Sequence, residues 1–478
     1  MSNNVRYSKL AKNSIIFAIA NFGSNILRFL IVPFYTYYMT NAEYGTVDTL
    51  TTTISLLLPI MLLAVQEAVL RFTLNKQVNS VSALKNSLLV MTVGSIIFLL
   101  GYYPFHLIQI FHGLWWYFYA LLLSHSLNNI LLNFTRGSGK SVTFMFGGLI
   151  NTVVMLISNV LLIAVLRRGT TGYLTSLIIG YSVSSLFLMI MIRPVKIWEN
   201  GGVDLDLLRE MLRYSIPLIP TAAMWWIMNV ADRYSIAFFL GISYTGIYAI
   251  SHKVPSVISM CYAIFQQAWQ ISAVDESESS DRSLFYKEVY DFFFRGLFMV
   301  SSLVILIIKP LISHIVESTY VDAWRYAPIL VLSAVFSSMA GFLGVNYVVS
   351  QKTIGALTTS AFGAITNVVL NLLFIPLIGI QGAAIATLIG FYGVWIVRAS
   401  VSTGGIKISQ NYLIIHVLLF LELLQTLVLV KDIPYQAFVQ IMLFLLILII
   451  NKNVLKRISS RGIFVLKNLM RSGKNNCQ

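Results

Sequence analysis

The sequence predicts an all-α polytopic membrane protein of about 14 transmembrane helices, built as two six-helix lobes with two extra C-terminal helices. Three observations predict it. The 478 residues are 57% hydrophobic and only 11% charged, with a mean hydropathy of +0.79, whereas soluble domains carry about 25% charge. Apolar runs long enough to cross a hydrocarbon slab, about 20 residues, recur along the whole chain. The first half of the chain is repeated in the second.

Taken in order, the apolar runs fall at 10–38, 43–73, 84–103, 114–135, 143–166, 172–193, 209–240, 244–272, 287–309, 325–350, 353–375, 380–401, 410–430 and 434–451. Several exceed the minimum, so those helices are expected to tilt or protrude. The opening MSNNVRYSKLAKNS has no short apolar core followed by a small-residue cleavage site, and the first run is expected to be kept as a span. Pro217 and Pro220 are expected to kink the seventh. Cys261 lies in an apolar run and Cys477 in the tail, which is neither a disulfide framework nor a zinc site.

An even number of spans puts both termini on one side. With that side cytoplasmic, 25 of the 33 Lys and Arg fall in cytoplasmic segments, five outside (Arg167 and Arg168 among them) and three within spans. That bias is the positive-inside pattern. The net charge of +15 and pI near 9.6 therefore read as loop charge meeting anionic lipid, not as a nucleic-acid footprint. The chain is expected to sit in a bacterial cytoplasmic membrane with both termini inside.

The repeat is visible in two places. KNSIIFAIANF from Lys12 and EYG at Glu43–Gly45 match RYSIPLIPTAA from Arg213 and YTG at Tyr244–Gly246, both 201 residues on. Lys140, Asn159 and Gly180 match Lys352, Asn371 and Gly390 at about 210. Each half holds an even number of spans, so the repeat is parallel, about an axis along the membrane normal. The expected division is an N-terminal six-helix lobe at 1–193, a cytoplasmic linker at 194–208 and a C-terminal six-helix lobe at 209–401. Two additional transmembrane helices follow at 402–451 and a basic cytoplasmic tail at 452–478. VDESESSDRS, Val274–Ser283, is a cytoplasmic loop, and DLDLLREMLRY is an amphipathic lead into span seven.

Soluble-enzyme motifs are missing from the sequence. There is no GxxxxGK[ST] phosphate loop; RGSGKS at Arg136–Ser141 lacks its spacing. No HExxH occurs, and the six histidines, among them His106, His112 and His125, form no metal-ligand spacing. No cofactor, no metal and no enzymatic activity are expected.

Ionisable residues inside the spans carry more information. They are Arg28, Glu67, Asp232, Arg233, Lys253 and Glu422. Each costs about 2.5–3.5 kcal/mol against lipid on the mildest scale, so each is expected to face a bundle interior or a wet cavity. Arg28, Arg233 and Lys253 lie about seven to ten residues below the outer ends of spans one, seven and eight. At about 1.5 Å per residue that is one common depth, roughly 10–15 Å. Three cations at one depth suit an anion, above all a phosphate or pyrophosphate. Asp232 and Arg233 are sequence neighbours, about 100° apart on a helix, and make no ideal pair with each other; the alternative reading is a packing lock across helices. Glu67 and Arg71, four apart, read as a helix ion pair first and a coupling or gating pair second. Glu422 reads as structural or lipid-facing.

Aromatics make up 13%. Trp115, Trp116 and Tyr117 read as an interfacial belt. Trp225 and Trp226, near the charged pair, read as core packing or as a stacking platform for sugar.

A first helix bearing Arg28, then EYG, then a span closing on EAVLRF resembles the Wzx-type polysaccharide flippases, as does ADRYSIAFFLG followed by YTGIYAISHKV. They belong to the multidrug/oligosaccharidyl-lipid/polysaccharide (MOP) exporter superfamily, and the resemblance covers essentially the whole chain. It implies a MATE-like fold, an inverted V of two six-helix lobes, and the movement of undecaprenyl-pyrophosphate-linked oligosaccharide repeat units across the cytoplasmic membrane for O-antigen, capsule or exopolysaccharide synthesis. It implies membrane lipids, a polysaccharide polymerase and a chain-length regulator as partners. Arg28, Asp232, Arg233 and Lys253 fall at its cavity-lining positions. VQEAVLRF departs from it, since relatives commonly carry a small residue near Gln66 and Glu67.

The expected activity is that of a flippase whose Arg28, Arg233 and Lys253 hold the pyrophosphate, with Asp232 or Glu67 as a coupling carboxylate. Rivals are a lipid II flippase, a MATE-type small-molecule exporter, which would need an acidic cavity, and a polysaccharide polymerase or ligase, which would carry large outer loops.

Overall fold

The computed structural model describes residues 31–74, 78–103, 111, 113–192, 202–275, 281–350, 353–401, 410–431 and 434–454. Arg28, His106, His112, most of the basic tail and part of the 274–283 loop lie outside the described residues, which hold helices and turns and no strand.

The helices are α1 (Val32–Tyr38), α2 (Asn41–Met61), α3 (Val65–Leu74), α4 (Ser80–Leu100), α5 (Trp115–Gly137), α6 (Ser141–Asn159, running on into a π-helical turn at Val160–Val165) and α7 (Gly169–Ile192). Then come α8 (Leu205–Ser215), α9 (Leu218–Phe239), α10 (Ile242–Lys253), α11 (Pro255–Asp275), α12 (Arg282–Ile315), α13 (Ala323–Val349), α14 (Thr353–Ile378) and α15 (Ile380–Ser400). The last two are α16 (Tyr412–Val430) and α17 (Gln436–Ile450). Among the described residues, eight helices are long and apolar enough to cross a membrane, or nine if α2 and α3 form one bent span. The chain is therefore a multi-pass membrane protein. The count of fourteen remains an expectation.

Local chemistry sets the helix ends. EYG is the first turn of α2: Thr40 Oγ1 accepts from Glu43 N at 3.3 Å, and Glu43 Oε2 accepts from Thr40 N at 2.9 Å. This reciprocal box satisfies two amides that a helix start leaves unpaired. α2 carries Pro59, and after it Leu63 and Ala64 take positive φ. The chain turns by 61° into α3 there. The seventh predicted span divides at Pro217 into the amphipathic α8 and the apolar α9, because proline has no N–H for the ladder.

α3 to α7 pack chiefly on one another, α9 to α15 form a second packed group in which α13, α14 and α15 are the tightest set, and α2 packs mainly on α10 of the second group. α16 and α17 lean on α12. Polar bonds fasten them: Ser301 Oγ to Glu422 Oε1 at 2.7 Å, Ser302 Oγ to Gln425 Oε1 at 2.9 Å, and Gln440 Nε2 to Gln425 O at 2.6 Å. In hydrocarbon such groups must find partners within the protein. The two groups of helices meet along α2, which touches both α9 and α10.

Candidate functional site

The two motifs that the repeat equates meet each other. α2 and α10 cross at Gly45 of EYG and Gly246 of YTG. A Cβ on Gly45 would strike Thr245 Oγ1 and sit 2.8 Å from Gly246 N; one on Gly246 would overlap Asn41 O. Only glycine permits that approach, and small residues at a crossing let helix backbones touch in a membrane. The seam is tied again at the same end: Asn41 Nδ2 donates to Thr319 O at 3.0 Å, Thr319 Oγ1 to Asn41 Oδ1 at 3.1 Å, and Tyr320 OH to Met39 O at 3.0 Å. The halves are thus closed where α2 and α10 begin.

Just beneath the crossing lies a buried charge cluster. Arg233 of α9 reaches across the seam, and its Nε donates to Asp48 Oδ2 of α2 at 2.6 Å. The two side chains are 8% and 11% exposed. Arg233 Nη1 also donates to Asn229 O at 2.8 Å and lies 3.4 Å from Asp232 Oδ1. Asp232 is wholly buried. It accepts from the backbone N–H of Arg233 at 2.9 Å, from Tyr248 OH and from Thr387 Oγ1 at 3.3 Å, and His252 Nε2 stands 3.7 Å away. The bonds run on into the second half: Asn367 Nδ2 donates to Thr387 Oγ1 at 3.2 Å and Asn371 Nδ2 to Asn367 Oδ1 at 3.1 Å. Tyr234 OH bonds Thr53, and Trp226 Nε1 donates to Thr52 O at 2.7 Å, both across the seam.

Lys253, at the last residue of α10, points the other way. Its Nζ makes no hydrogen bond or ion pair among the described residues and lies 5.9 Å from the Tyr44 ring centre, within cation–π range. It lines a cavity of about 210 Å³ whose other described walls come from α2, α5, α6, α7 and the start of α1.

The structure therefore brings Asp232, Arg233 and Lys253 to one seam; Arg28 is not described. The expected charge of that seam needs correction. Asp48 neutralises Arg233 across the halves, and with Asp232 the cluster sets two carboxylates against Arg233 and Lys253, so it is balanced; Lys253 is the one of these four without a hydrogen bond or ion pair among the described residues. Glu67 and Arg71 are brought together only by sequence. They form no ion pair; Arg71 lies over the Tyr214 ring of α8 at 4.1 Å and Glu67 is exposed. The helix ion pair is thus replaced by a cation–π contact, because α8 packs against α3. Glu422 is buried and accepts from Ser301, which agrees with the structural reading and not with a lipid-boundary one. Trp115 is 2% exposed and packs inward, while its neighbour Trp116 is 64% exposed, as a belt residue would be.

Sequence reasoning missed Asp48, Tyr248, His252 and Arg398. Asp48 was recognisable as a carboxylate four residues beyond Tyr44, at a depth comparable with that of Arg233. Arg398 is 5% exposed and faces no carboxylate among the described residues; it donates to Ala340 O, Thr359 Oγ1 and Ser360 Oγ at 2.9 Å. Its place near the end of α15 made it look like loop charge. No group of three metal-ligating side chains occurs among the described residues.

A family model described as polysaccharide biosynthesis protein matches residues 10–270. No curated protein matches the chain. Solved structures do. One is the inward-facing conformation of a multidrug resistance MATE family transporter of the MOP superfamily, with a TM-score of 0.63 and 14% identity, covering 80% of this chain and 92% of that one. Another is an outward-facing conformation of such a transporter, at 0.58 and 13%, covering 82% and 93%. A third is a MOP superfamily transporter from Pyrococcus furiosus, at 0.59 and 14%, also covering 82% and 93%. At these identities the likeness is one of fold, and the fold is MATE-like.

Proposed function

We propose, from the premise that this chain belongs to the polysaccharide biosynthesis protein family, that it is a flippase for undecaprenyl-pyrophosphate-linked oligosaccharide repeat units in the bacterial cytoplasmic membrane. The observation that carries the reading is the charge cluster on the seam between the halves, with Lys253 left unpaired beside it. Charge at that depth is costly unless used or matched. In this reading the termini are cytoplasmic, the fourteen spans form two six-helix lobes plus two, and the closed end at α2 and α10 is the outer one.

The substrate enters from the cytoplasmic side with its polyprenyl tail left in lipid. Its pyrophosphate meets Lys253 and Arg28, then competes with Asp48 for the Arg233 fork, which matches phosphate oxygens as well as carboxylate oxygens. Moving Arg233 from Asp48 to the substrate dissolves the ion pair that holds the outer end shut. The lobes then rock and the substrate leaves outward. No covalent step is required. Without an ATP motif, the energy comes from an ion gradient, the membrane potential or downstream use of the product, and Asp232, on a relay of neutral hydroxyls and amides, is the coupling candidate.

A second reading draws on the same cluster. Asp48 and Asp232 supply the acidic groups that a MATE-type exporter of cationic small molecules needs, so the exporter is kept as the rival.

The test is complementation of a strain lacking its own repeat-unit flippase, scoring surface polysaccharide at matched membrane levels. Wild type is expected to restore polymer, and Arg28→Ala, Arg233→Ala and Lys253→Ala to fail. Restoration by all three variants would remove the pyrophosphate role and leave the Asp232–Arg233 region as a packing lock. Failure of wild type, together with raised tolerance to cationic drugs, would favour the exporter.

A further inference from the structure

The cavity beside Lys253 is not explained by pyrophosphate binding. It is about 210 Å³, below the roughly 300–1,000 Å³ of sites that take drug-sized ligands. Such a space suits one ring, not an oligosaccharide. Its walls mix flat aromatics with polar groups. His125 and Tyr181 stack at 4.4 Å and 14°, and Tyr173 lies against Tyr35 at 4.7 Å. Asn151 is 8% exposed, lines the cavity and makes no hydrogen bond among the described residues. Asparagine offers both donors and an acceptor to what enters the cavity. Lys253, which comes from the opposite half, lines the same cavity, and its ammonium makes no hydrogen bond or ion pair among the described residues.

We propose that this cavity is a glycosyl subsite, which seats one pyranose ring of the lipid-linked saccharide on its aromatic walls and on the Asn151 amide, with Lys253 on the phosphate joined to that ring. The proposal rests on the flippase reading and deepens it. An aromatic face takes the C–H side of a pyranose, the Asn151 amide meets ring hydroxyls, and three ammonium protons meet phosphate oxygens. Because Lys253 belongs to one half and the cavity to the other, a substrate bound in this way bridges the seam. Sugar in the first half then fixes where its phosphate stands relative to Arg233 in the second.

The experiment measures binding to the purified full-length protein. The probes are undecaprenyl diphosphate, the host's undecaprenyl-diphosphate-linked saccharide, that saccharide freed by mild acid, and phosphatidylglycerol as control. Wild type is expected to bind the glycosylated lipid about tenfold more tightly than undecaprenyl diphosphate, a difference of about 1.4 kcal/mol. Asn151→Ala, which removes the amide, and Thr51→Trp, which fills the cavity from α2, are expected to bring that ratio near one. Affinity for undecaprenyl diphosphate should change less than twofold, which also shows that the variants are folded. An unchanged tenfold ratio in both variants would overturn the subsite and leave the flippase standing. Free saccharide binding as tightly as the lipid-linked form would overturn the role given to Lys253. If neither polyprenyl lipid binds wild type better than phosphatidylglycerol does, the flippase reading itself falls.

Discussion

Asp48→Asn is the sharpest perturbation of the seam. It keeps the shape of the side chain and removes the charge that faces Arg233 Nε at 2.6 Å. Both side chains are close to nine-tenths buried, and removing one partner of a buried pair costs about 3–5 kcal/mol. Arg233 retains Asn229 O at 2.8 Å and Asp232 Oδ1 at 3.4 Å, so the cost here is taken as about 2 kcal/mol, below that range. If the pair exists only while the α2/α10 end is closed, the closed-to-open ratio should fall about 30-fold, at about 1.4 kcal/mol per tenfold. The assay is electron–electron distance measurement in liposomes, on protein with Cys261 and Cys477 replaced by Ser. Spin labels go at Leu166, in the first half, and at Phe238, in the second; they are 51% and 82% exposed. Asp48→Asn should broaden the distribution toward longer distances, and adding Arg233→Gln should produce little further change, because the two share one interaction. A distribution superimposable on wild type, or effects that simply add, would refute the latch.

Two further outcomes are expected. Gly246→Val should push α10 off Asn41 O, lengthen the same label distance and abolish complementation while membrane levels stay at wild type. Glu422→Gln should leave the detergent melting temperature within a few degrees of wild type or raise it, because an amide keeps the bond from Ser301 without burying a carboxylate; Ser301→Ala, which strips that bond, should lower it.

The apolar runs, the basic bias of the loops and the repeat were legible because each is written in residues of one kind at fixed spacing. The equivalence of EYG and YTG was legible too, although the sequence alone did not say that the two motifs touch. Partners of charges were not legible. Asp48 and Arg233 are 185 residues apart, and which carboxylate an arginine meets depends on helix register across a seam. Glu67 and Arg71 have pairing spacing, yet the aromatic face of Tyr214 on a packed neighbour takes the guanidinium. Arg398 was hidden by its nearness to a span end.

The repeat also separates what the scaffold needs from what was added to it. At the 201-residue offset Gly45 stands opposite Gly246 of the YTG turn, so the crossing is nearly symmetric. The charges are not. Asp48 corresponds to Ala249, Arg233 to Val32, Asp232 to Ile31 and Lys253 to Thr52. The close contacts at the glycines are made by Thr245, Ile242, Gly246 and Asn41 and not by any of those charges, so the ion pair is not expected to be a condition of the fold. A cluster outside the glycine contacts, whose buried pairs cost several kcal/mol to break and which joins the two halves, is accounted for on the proposed flippase reading by what would cross that seam. On this argument Asp48→Asn should leave the protein folded and in the membrane and alter only which end is open. If it unfolds the protein instead, the cluster is part of the scaffold after all.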